Sequence, residues 1–202
     1  MLWRFHRTPI KRLPAFPATC RCTVGLLACV ALFTTQTACS DPESIQPSTI
    51  RMKVSSANFS DGGEIPKQFT CDGEETSPYL MWTSVPPETK SFALIAYDRD
   101  SLFRSFIHWV LYDVKPETRQ IVEDLPRQSQ LPSGSRQGQN GFRKIGYSGP
   151  CPPGHSTHRY VFTLYALDIK PDLPPGASKK QLLKAIKNHI LAEGQLMGRY
   201  HR

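Results

Sequence analysis

The chain has 202 residues, 39% of them hydrophobic, and 18 prolines, a composition that fits one globular domain with additional segments and argues against an all-helical bundle. The formal net charge of +8 is concentrated at the start: residues 1–39 hold five of the 25 basic residues and none of the 17 acidic ones. The remainder therefore has 20 basic and 17 acidic residues, a net charge of +3, and no basic stripe interleaved with aromatic residues. We expect no nucleic-acid partner.

The first 39 residues have the pattern of a secretory signal peptide. Basic residues precede an apolar stretch, 24–33 (VGLLACVALF), and small polar residues follow it. The small residues before Cys39 resemble the lipobox of bacterial lipoproteins, in which the cysteine is lipidated after cleavage, although Gln36 stands where that motif usually has an aliphatic residue. The pattern predicts an exported protein, either periplasmic or attached to the membrane through a lipidated Cys39.

Two other interpretations of this segment stay open. No charge occurs between Cys22 and Ser40, which also suits a membrane anchor, but the ten strongly apolar residues are short for a bilayer crossing. An uncleaved basic tail is the second alternative. Residues 40–50 (SDPESIQPSTI) contain prolines and serines without an apolar period, and they are predicted to be a linker to a domain over residues 51–202.

The folded part would retain two cysteines, Cys71 and Cys151, if cleavage occurs before Cys39. An exported compartment permits a disulfide between them, but the sequence does not give the distance between their Cα atoms. Their pairing stays open, and the core must provide most of the stability.

Apolar runs of strand length dominate the predicted domain. Their β-branched and aromatic residues favour strand over helix, and Asp-Gly and Gly-Gly pairs indicate turns. Residues 115–145 are polar and rich in proline, glycine and glutamine, so we expect a long surface excursion there with a weak strand at 120–125. The other predicted strands are 51–54, 91–98 (SFALIAYD), 106–114 (FIHWVLYDV) and 159–167.

One helix is predicted, near the end of the chain. Ser178 is a candidate N-cap, and Leu182, Leu183, Ile186 and Ile190 recur on one helical face. Short strands with turn signals, followed by a single helix, predict a mainly β fold, an antiparallel β-sandwich with a C-terminal helical region.

No pattern in the sequence indicates an enzyme. The stretch 146–149 (GYSG) is one residue short of a nucleophile elbow and precedes a strand instead of a helix. A glycine-rich phosphate loop does not occur, and His155 and His158 make only a weak zinc pattern. We expect a non-enzymatic protein without a cofactor or a metal.

Four polar residues at strand ends suggest a small binding pocket. Asp98 and Asp100 are two residues apart, so an extended backbone directs both side chains to one side. Their two negative charges need donor or cationic groups nearby, which His108 and His158 could provide. Imidazole donates from one nitrogen when neutral and from both when charged. The backbone N–H groups of a tight Gly-Pro turn could form a concave nest for an anion. Such a pocket would accept a phosphate or a carboxylate.

Each of these residues also has a structural explanation. A strand histidine such as His108 is often a satisfied structural group, and the aspartates are suited to bonding turn amides. The aromatic side chains of Trp82, Trp109 and residues 160–165 are most simply core.

Four blocks of the sequence occur in an order that resembles the phosphatidylethanolamine-binding protein family. They are similar above all to its bacterial YbhB/YbcL branch, the Raf-kinase-inhibitor-like proteins, and the resemblance covers roughly residues 51–202. The blocks are 69–82 (FTCDGEETSPYLMW), 96–100 (AYDRD), 108–114 (HWVLYDV) and 146–168 (GYSGPCPPGHSTHRYVFTLYALD).

The resemblance implies two antiparallel β-sheets, a C-terminal helical region and an anion pocket near one end of the sandwich. Asp98 and Asp100 match the two aspartates of the family's D-P-D motif, and His108 matches the histidine of its central strand. The Gly-Pro of the pocket loop corresponds to 149–150, and the His-Arg-Tyr motif corresponds to 158–160. The residues implied at the pocket are therefore Asp98, Asp100, His108, Gly149, Pro150, His158 and Tyr160.

The sequence departs from the family pattern near the pocket. Arg99 replaces the proline of D-P-D, which frees φ, adds a backbone donor and brings a cation that could pair with an aspartate or attract anions. Phe106 lies where animal members have a tryptophan. Cys71 and Cys151 fit the bacterial pattern and are implied to flank the pocket. The resemblance leaves their pairing open, because cytosolic relatives have similar cysteines.

The resemblance favours a non-enzymatic, exported binding protein for a phosphate-bearing or other anionic group, such as a phospholipid head group. A protein-interaction module that inhibits a kinase or a serine protease is the alternative, since some members of the family are described in this way. A hydrolase that uses His108 or His158 as a general base is a third possibility, for which the sequence offers no nucleophile.

Overall fold

The computed structural model describes residues 50–102 and 105–202. The predicted signal peptide, the lipidation site at Cys39 and the linker up to residue 49 lie outside the described residues. Within the described part of the chain, no helix has both the length and the apolar character needed to cross a membrane.

The described residues form nine strands, one 3₁₀ turn and one short α-helix. Two predicted strands have the predicted bounds, namely β4 and β5, and the strand predicted at 159–167 begins one residue earlier. The elements are β1 (Ile50–Arg51), β2 (Lys53–Ser55), a 3₁₀ turn (Lys67–Phe69), β3 (Leu80–Thr83), β4 (Ser91–Asp98), β5 (Phe106–Val114), β6 (Gln120–Ile121), β7 (Arg136–Gln137), β8 (His158–Leu167), α1 (Lys179–Ala185) and β9 (Ile190–Tyr200).

The strands form two sheets. The larger sheet has the order β1-β9-β8-β4-β5-β7, and the smaller one has the order β2-β3-β6. Every pairing between these strands is antiparallel except that of β1 with β9, which is parallel. The predicted fold class, mainly β with two sheets and one helix, is confirmed.

The large sheet is buried on both faces, which explains why its central strands are almost continuously apolar. Alternate residues of β4, such as Phe92 and Leu94, face the core shared with the small sheet, where Trp82 packs edge-to-face on Phe92. The intervening residue Ile95 belongs to a second apolar cluster on the opposite face. Residues of the α1 region, including Leu182, cover that cluster.

The predicted helix is present but shorter than expected. Ser178 caps α1 through a capping box with Gln181, as its position predicted. The helix ends at Ala185 with Ile186 as its C-cap, and Asn188 adopts a left-handed conformation with a φ of 67°. The placement of Ile190 on the helical face was wrong, because this residue begins β9, the longest strand described.

The expectation of a surface excursion over 115–145 was only partly correct. This segment contains β6 and β7, and its Gln137 is completely buried. The Gln137 side chain accepts a hydrogen bond from Trp109 Nε1 at 2.8 Å and donates to the carbonyl of Pro126 at 2.7 Å. These bonds attach the segment to the edge of the large sheet.

Candidate anion-binding site

A cavity of about 380 Å³ opens at the end of the large sheet where β4 ends and β5 and β8 begin. Because β8, β4 and β5 are antiparallel neighbours, the end of β4 lies beside the starts of the other two strands. Four of the seven residues implied at the pocket line this cavity. The described lining residues are Asp98, Asp100, Ser101, Leu102, Phe106, His108, Phe142, Cys151, Pro153, Ser156 and His158.

Asp98 and His158 form a buried pair at the base of the cavity. His158 Nδ1 lies 2.7 Å from Asp98 Oδ2, although 60 residues separate the two positions in sequence. The other carboxylate oxygen, Oδ1, accepts the backbone N–H of Asp100 at 2.9 Å. One aspartate therefore both orients a histidine and bonds a turn amide, the second of which is the structural role expected of it.

His108 occupies a β-bulge. Trp109 pairs with Ala96 and Ile107 pairs with Tyr97, so His108 is the extra residue of β5 at this point. Its Nδ1 donates to the carbonyl oxygen of Ser148 at 2.8 Å. Burial lowers the pKa of His108 below its usual range, against hydrogen bonding to the Ser148 and Gly149 backbone and the charge of Asp98. The ring is therefore kept neutral.

Asp100 has a different partner from the one expected. Its carboxylate accepts hydrogen bonds from the backbone N–H and Nε of Arg159, both at 2.9 Å, and neither histidine binds it. These bonds lower the pKa of Asp100 to about 2. Arg99 is exposed, and its backbone N–H donates to the Arg159 carbonyl at 2.9 Å, a bond that proline at this position could not make.

The Gly-Pro loop does not offer the expected anion nest. Gly149 and Pro150 are absent from the described cavity lining, and the Gly149 N–H donates to Glu75 Oε1 at 3.2 Å. A Cβ at Gly149 would lie 2.6 Å from the carbonyl oxygen of Phe69, so only glycine fits there. The loop therefore supports the cavity wall from behind, and an internal carboxylate already uses its donor.

A disulfide holds this loop in place. Cys71 and Cys151 are bonded, with their Cα atoms 5.4 Å apart, and Cys151 contributes to the cavity wall. The Cys71 N–H also donates to the Pro150 carbonyl at 3.1 Å. The pairing that the sequence left open is present, and it lies beside the pocket as the resemblance implied.

Tyr160 lies behind His108, outside the described lining. The two rings pack edge-to-face with their centroids 5.2 Å apart. The hydroxyl of Tyr160 is buried without a hydrogen-bond partner among the described residues, and burial raises its pKa. Tyr160 therefore positions His108 and stays protonated.

Sequence reasoning missed most of the apolar wall of the cavity. Phe106 packs edge-to-face on Phe142, with ring centroids 4.7 Å apart. Leu102 is 90% exposed and Phe142 is 44% exposed, so both extend the wall to the cavity mouth. Phe142 belongs to the segment assigned to a surface excursion, and no periodicity marks it. The only sequence signal for this wall was Phe106, which lies where animal members of the family have a tryptophan.

The polar side of the cavity consists of histidines, carboxylates and serines. Of the described lining residues, none is a lysine or an arginine. The described residues also contain no cluster of three or more His, Cys, Asp or Glu side chains that could hold a metal ion. The arrangement suits a small group that forms hydrogen bonds on one side and apolar contacts on the other.

Comparisons with known proteins agree with this architecture. A UPF0098 protein of Aquifex aeolicus is 46% identical over 153 residues, which cover 75% of this chain and 89% of the relative. LppC of Mycobacterium tuberculosis, which is named as a lipoprotein, is 34% identical over 76% of this chain and 74% of its own. The crystal structure of Escherichia coli YbcL superposes with a TM-score of 0.70 at 28% identity, covering 75% of this chain and 99% of YbcL. The family model named phosphatidylethanolamine-binding protein matches residues 55–201, and the chain belongs to this family.

Proposed function

We propose that this chain is a non-enzymatic binding protein whose cavity takes a phosphate-bearing or other anionic group. Membership of the phosphatidylethanolamine-binding protein family supports a binding role of this general kind. The observation that carries the proposal is the pair His108 and His158, which line one cavity while protein acceptors bind the Nδ1 atom of each ring. The Nε2 atom of each ring is then the nitrogen available to a ligand.

The size and the walls of the cavity support a small organic ligand. A volume of about 380 Å³ lies in the range of small-molecule sites. The exposed side chains of Leu102 and Phe142 at the mouth would contact the carbon atoms next to the anionic group. A head group with an attached carbon chain therefore fits better than a bare ion.

One of the two hydroxyls in the described lining is not arranged as a nucleophile. The lining's only hydroxyls are those of Ser101 and Ser156 among the described residues, and Ser156 Oγ donates to the carbonyl of Pro153. A serine nucleophile needs a base that accepts its proton, and that bond leaves Ser156 without one. Binding without turnover is the simpler function for this site.

Titration of the full chain with phosphoethanolamine, followed by NMR of the histidine side chains, tests the proposal. We expect saturable shifts at His108 and His158 and at the backbone amides of the other lining residues, and we expect the amide shifts to vanish in the double variant His108→Ala/His158→Ala. His155→Ala is the matched control, because this exposed histidine lies outside the described lining. Shifts that persist in the double variant, or no saturable shift at millimolar ligand, would contradict the proposal and favour a protein partner such as a kinase or a protease.

We propose further that the protein is exported and attached to a membrane through a lipid on Cys39. The signal-like pattern of 1–39, the Cys71–Cys151 disulfide and the name of the LppC relative support this location. Cys39→Ser should move the expressed full chain from the membrane fraction to the soluble fraction and abolish labelling by a fatty acid. Equal labelling of both forms would refute lipidation at this residue.

A further inference from the structure

A second cavity lies at the opposite end of the large sheet from the cavity that His108 and His158 line, which we call the histidine cavity. The histidine cavity lies where β4 ends and β5 begins, whereas the second cavity lies where β4 begins and β5 ends. Its volume is about 130 Å³. We call it the lysine cavity, and the lining residues that matter here are Lys90, Ser91, Asp113, Lys115, Ser133 and Lys170.

The lysine cavity has a surplus of two positive charges, because three lysines and one carboxylate line it. Lys90, Lys115 and Lys170 are exposed, and within the described part of the chain none of their ammonium groups forms an ion pair. The histidine cavity differs in charge, since none of its described lining residues is a lysine or an arginine. Uncompensated cations gathered at one cavity attract an anionic group.

The carboxylate of the lysine cavity does not cancel this attraction. Asp113 lies in a second β-bulge of β5, because the pairing of β4 with β5 shifts by one residue between Phe92 and Leu94. The Asp113 side chain is completely buried, and its Oδ2 lies 3.3 Å from Arg136 Nη1. Since Arg136 already pairs with this carboxylate from outside the described lining, most of the lysine charge stays uncompensated.

An apolar crevice of about 160 Å³ adjoins the lysine cavity and shares Val114, Lys115 and Ser133 with it. Lys115 is the only charged residue in the described lining of this crevice. Most of its walls belong to the core that the two sheets share, so the crevice is an opening in that core. The apolar walls are Leu111, Val114, Ile121, Val122, Leu125 and Leu131. The lysine cavity and the crevice together form a cleft that is cationic at one end and apolar at the other.

The apolar end of this cleft is open to solvent. Val122 is 53% exposed and Leu125 is half-buried, so apolar surface of the crevice reaches water. Lys115 and Ser133 are exposed at the boundary between the two spaces. A lysine stem can lie along an apolar wall while its ammonium group stays in water, so Lys115 can turn aside for a ligand. One molecule can therefore contact both spaces.

We propose that the cleft is a second binding site, which takes small amphipathic anions with the charged group on the lysines and a short apolar tail in the crevice. A lysine ammonium is a point charge with rotatable donors, so it reads charge and does not require one anion shape. The two volumes together lie near the lower end of small-molecule sites, about 300 Å³, which limits the tail to a few carbon atoms. The site is independent of the histidine cavity and of the function proposed for that cavity.

NMR titration of the full chain with hexanoate, acetate and hexanamide tests the inference. Acetate has the charge without the tail, and hexanamide has the tail without the charge. We expect hexanoate to shift the backbone amides of Lys115, Val122 and Ser133 saturably. It should bind at least about tenfold more tightly than acetate or hexanamide, since each buried methylene group contributes about fourfold to affinity. Equal affinities for hexanoate and hexanamide would show that the lysines do not read the charge and would overturn the inference.

Substitutions at each end of the cleft test the two kinds of contact separately. Lys90→Gln/Lys170→Gln should lower the affinity for hexanoate about fivefold, as expected for the loss of two exposed charge contacts. Lys180→Gln is the matched control, because this exposed lysine lies outside both described linings. Val122→Ser should weaken hexanoate binding through the loss of apolar contact. An unchanged affinity in the double lysine variant would contradict an anion site at the lysine cavity.

The double variant His108→Ala/His158→Ala distinguishes this site from the histidine cavity. It should bind hexanoate with the wild-type affinity, whereas its response to phosphoethanolamine tests the proposed function alone. Loss of hexanoate binding in this variant would place the ligand among the histidines and overturn the inference. The absence of saturable shifts at millimolar hexanoate would also overturn it and would leave the proposed function of the histidine cavity intact.

Discussion

His108 shows how one residue links the cavity to the pH dependence of folding. Burial lowers its pKa in the folded state, whereas in the unfolded chain the pKa of a histidine is about 6.5. Below that value the unfolded state binds more protons, so the contribution of a neutral His108 to stability is complete above pH 6.5 and is lost progressively as the pH falls from 6.5 through the lowered pKa of the folded state.

We therefore expect the urea midpoint of the wild type to decrease between pH 7 and pH 5 more steeply than that of His108→Gln. Urea unfolding at several pH values measures this difference, with His155→Gln as the control that keeps the wild-type profile. Parallel profiles for all three proteins would contradict a buried, neutral His108.

Close packing, and not a positive φ, is the reason why position 149 requires a glycine. A Cβ there would lie 2.6 Å from the Phe69 carbonyl oxygen and 2.7 Å from Thr70 Cα, and both atoms are backbone. Gly149→Ala should therefore lower the free energy of unfolding by about 1–3 kcal/mol, the usual cost of overpacking. The control, Gly154→Ala, has open space around its Cβ but a φ of 64°, so it should lose only about 1 kcal/mol. Urea unfolding separates the two, and equal losses would show that the 69–70 backbone moves aside.

At the scale of elements, α1 contributes stability through one face only. Leu182 is fully buried against the large sheet, whereas its neighbour Leu183 is 36% exposed. Leu182→Ala should lower the free energy of unfolding by about 2–5 kcal/mol, because it leaves a cavity in the second apolar cluster of the large sheet. Leu183→Ala should change the free energy of unfolding by less than about 1 kcal/mol. Urea unfolding measures both, and similar losses would mean that α1 does not cover the sheet as described.

The predictability of each element depended on how much local pattern it carries. The bounds of β4 and β5 were predictable because both faces of these strands are buried and their runs are apolar throughout. Ile190 follows Ile186 at helical spacing, so its periodicity fits a helix equally well, and only the left-handed Asn188 breaks it. The two-residue strand β7 carries too little pattern to be recognised.

The candidate site was predictable in its composition more than in its geometry. The resemblance supplied His108 and His158, but the bulge at His108 arises from a mismatch between two strands and leaves no mark in the sequence. The Arg159–Asp100 pair and the Phe142 wall depend on register and on a long loop, which only the folded chain defines. The sequence therefore suggested the participants, and the sheet register determined their partners.

At the scale of the whole molecule, the disulfide between Cys71 and Cys151 closes a loop of 80 residues that includes β3, β4, β5, β6 and β7. A cross-link over so long a loop restricts the unfolded chain, and its removal typically costs about 2–4 kcal/mol. The double variant Cys71→Ser/Cys151→Ser should therefore unfold at a lower urea concentration than the oxidised wild type. Its affinity for phosphoethanolamine should also decrease, because Cys151 forms part of the cavity wall.

The wild type in a reducing agent provides the control for the serine substitutions. Reduced wild type and the double variant should have the same urea midpoint, because both lack the cross-link. They differ only in having a thiol or a hydroxyl at positions 71 and 151. A midpoint equal to that of the oxidised protein in both cases would contradict a stabilising disulfide. If stability falls but affinity for phosphoethanolamine does not, the disulfide stabilises the fold alone, and the hydrogen bond from the Cys71 N–H to the Pro150 carbonyl is sufficient to hold the cavity wall.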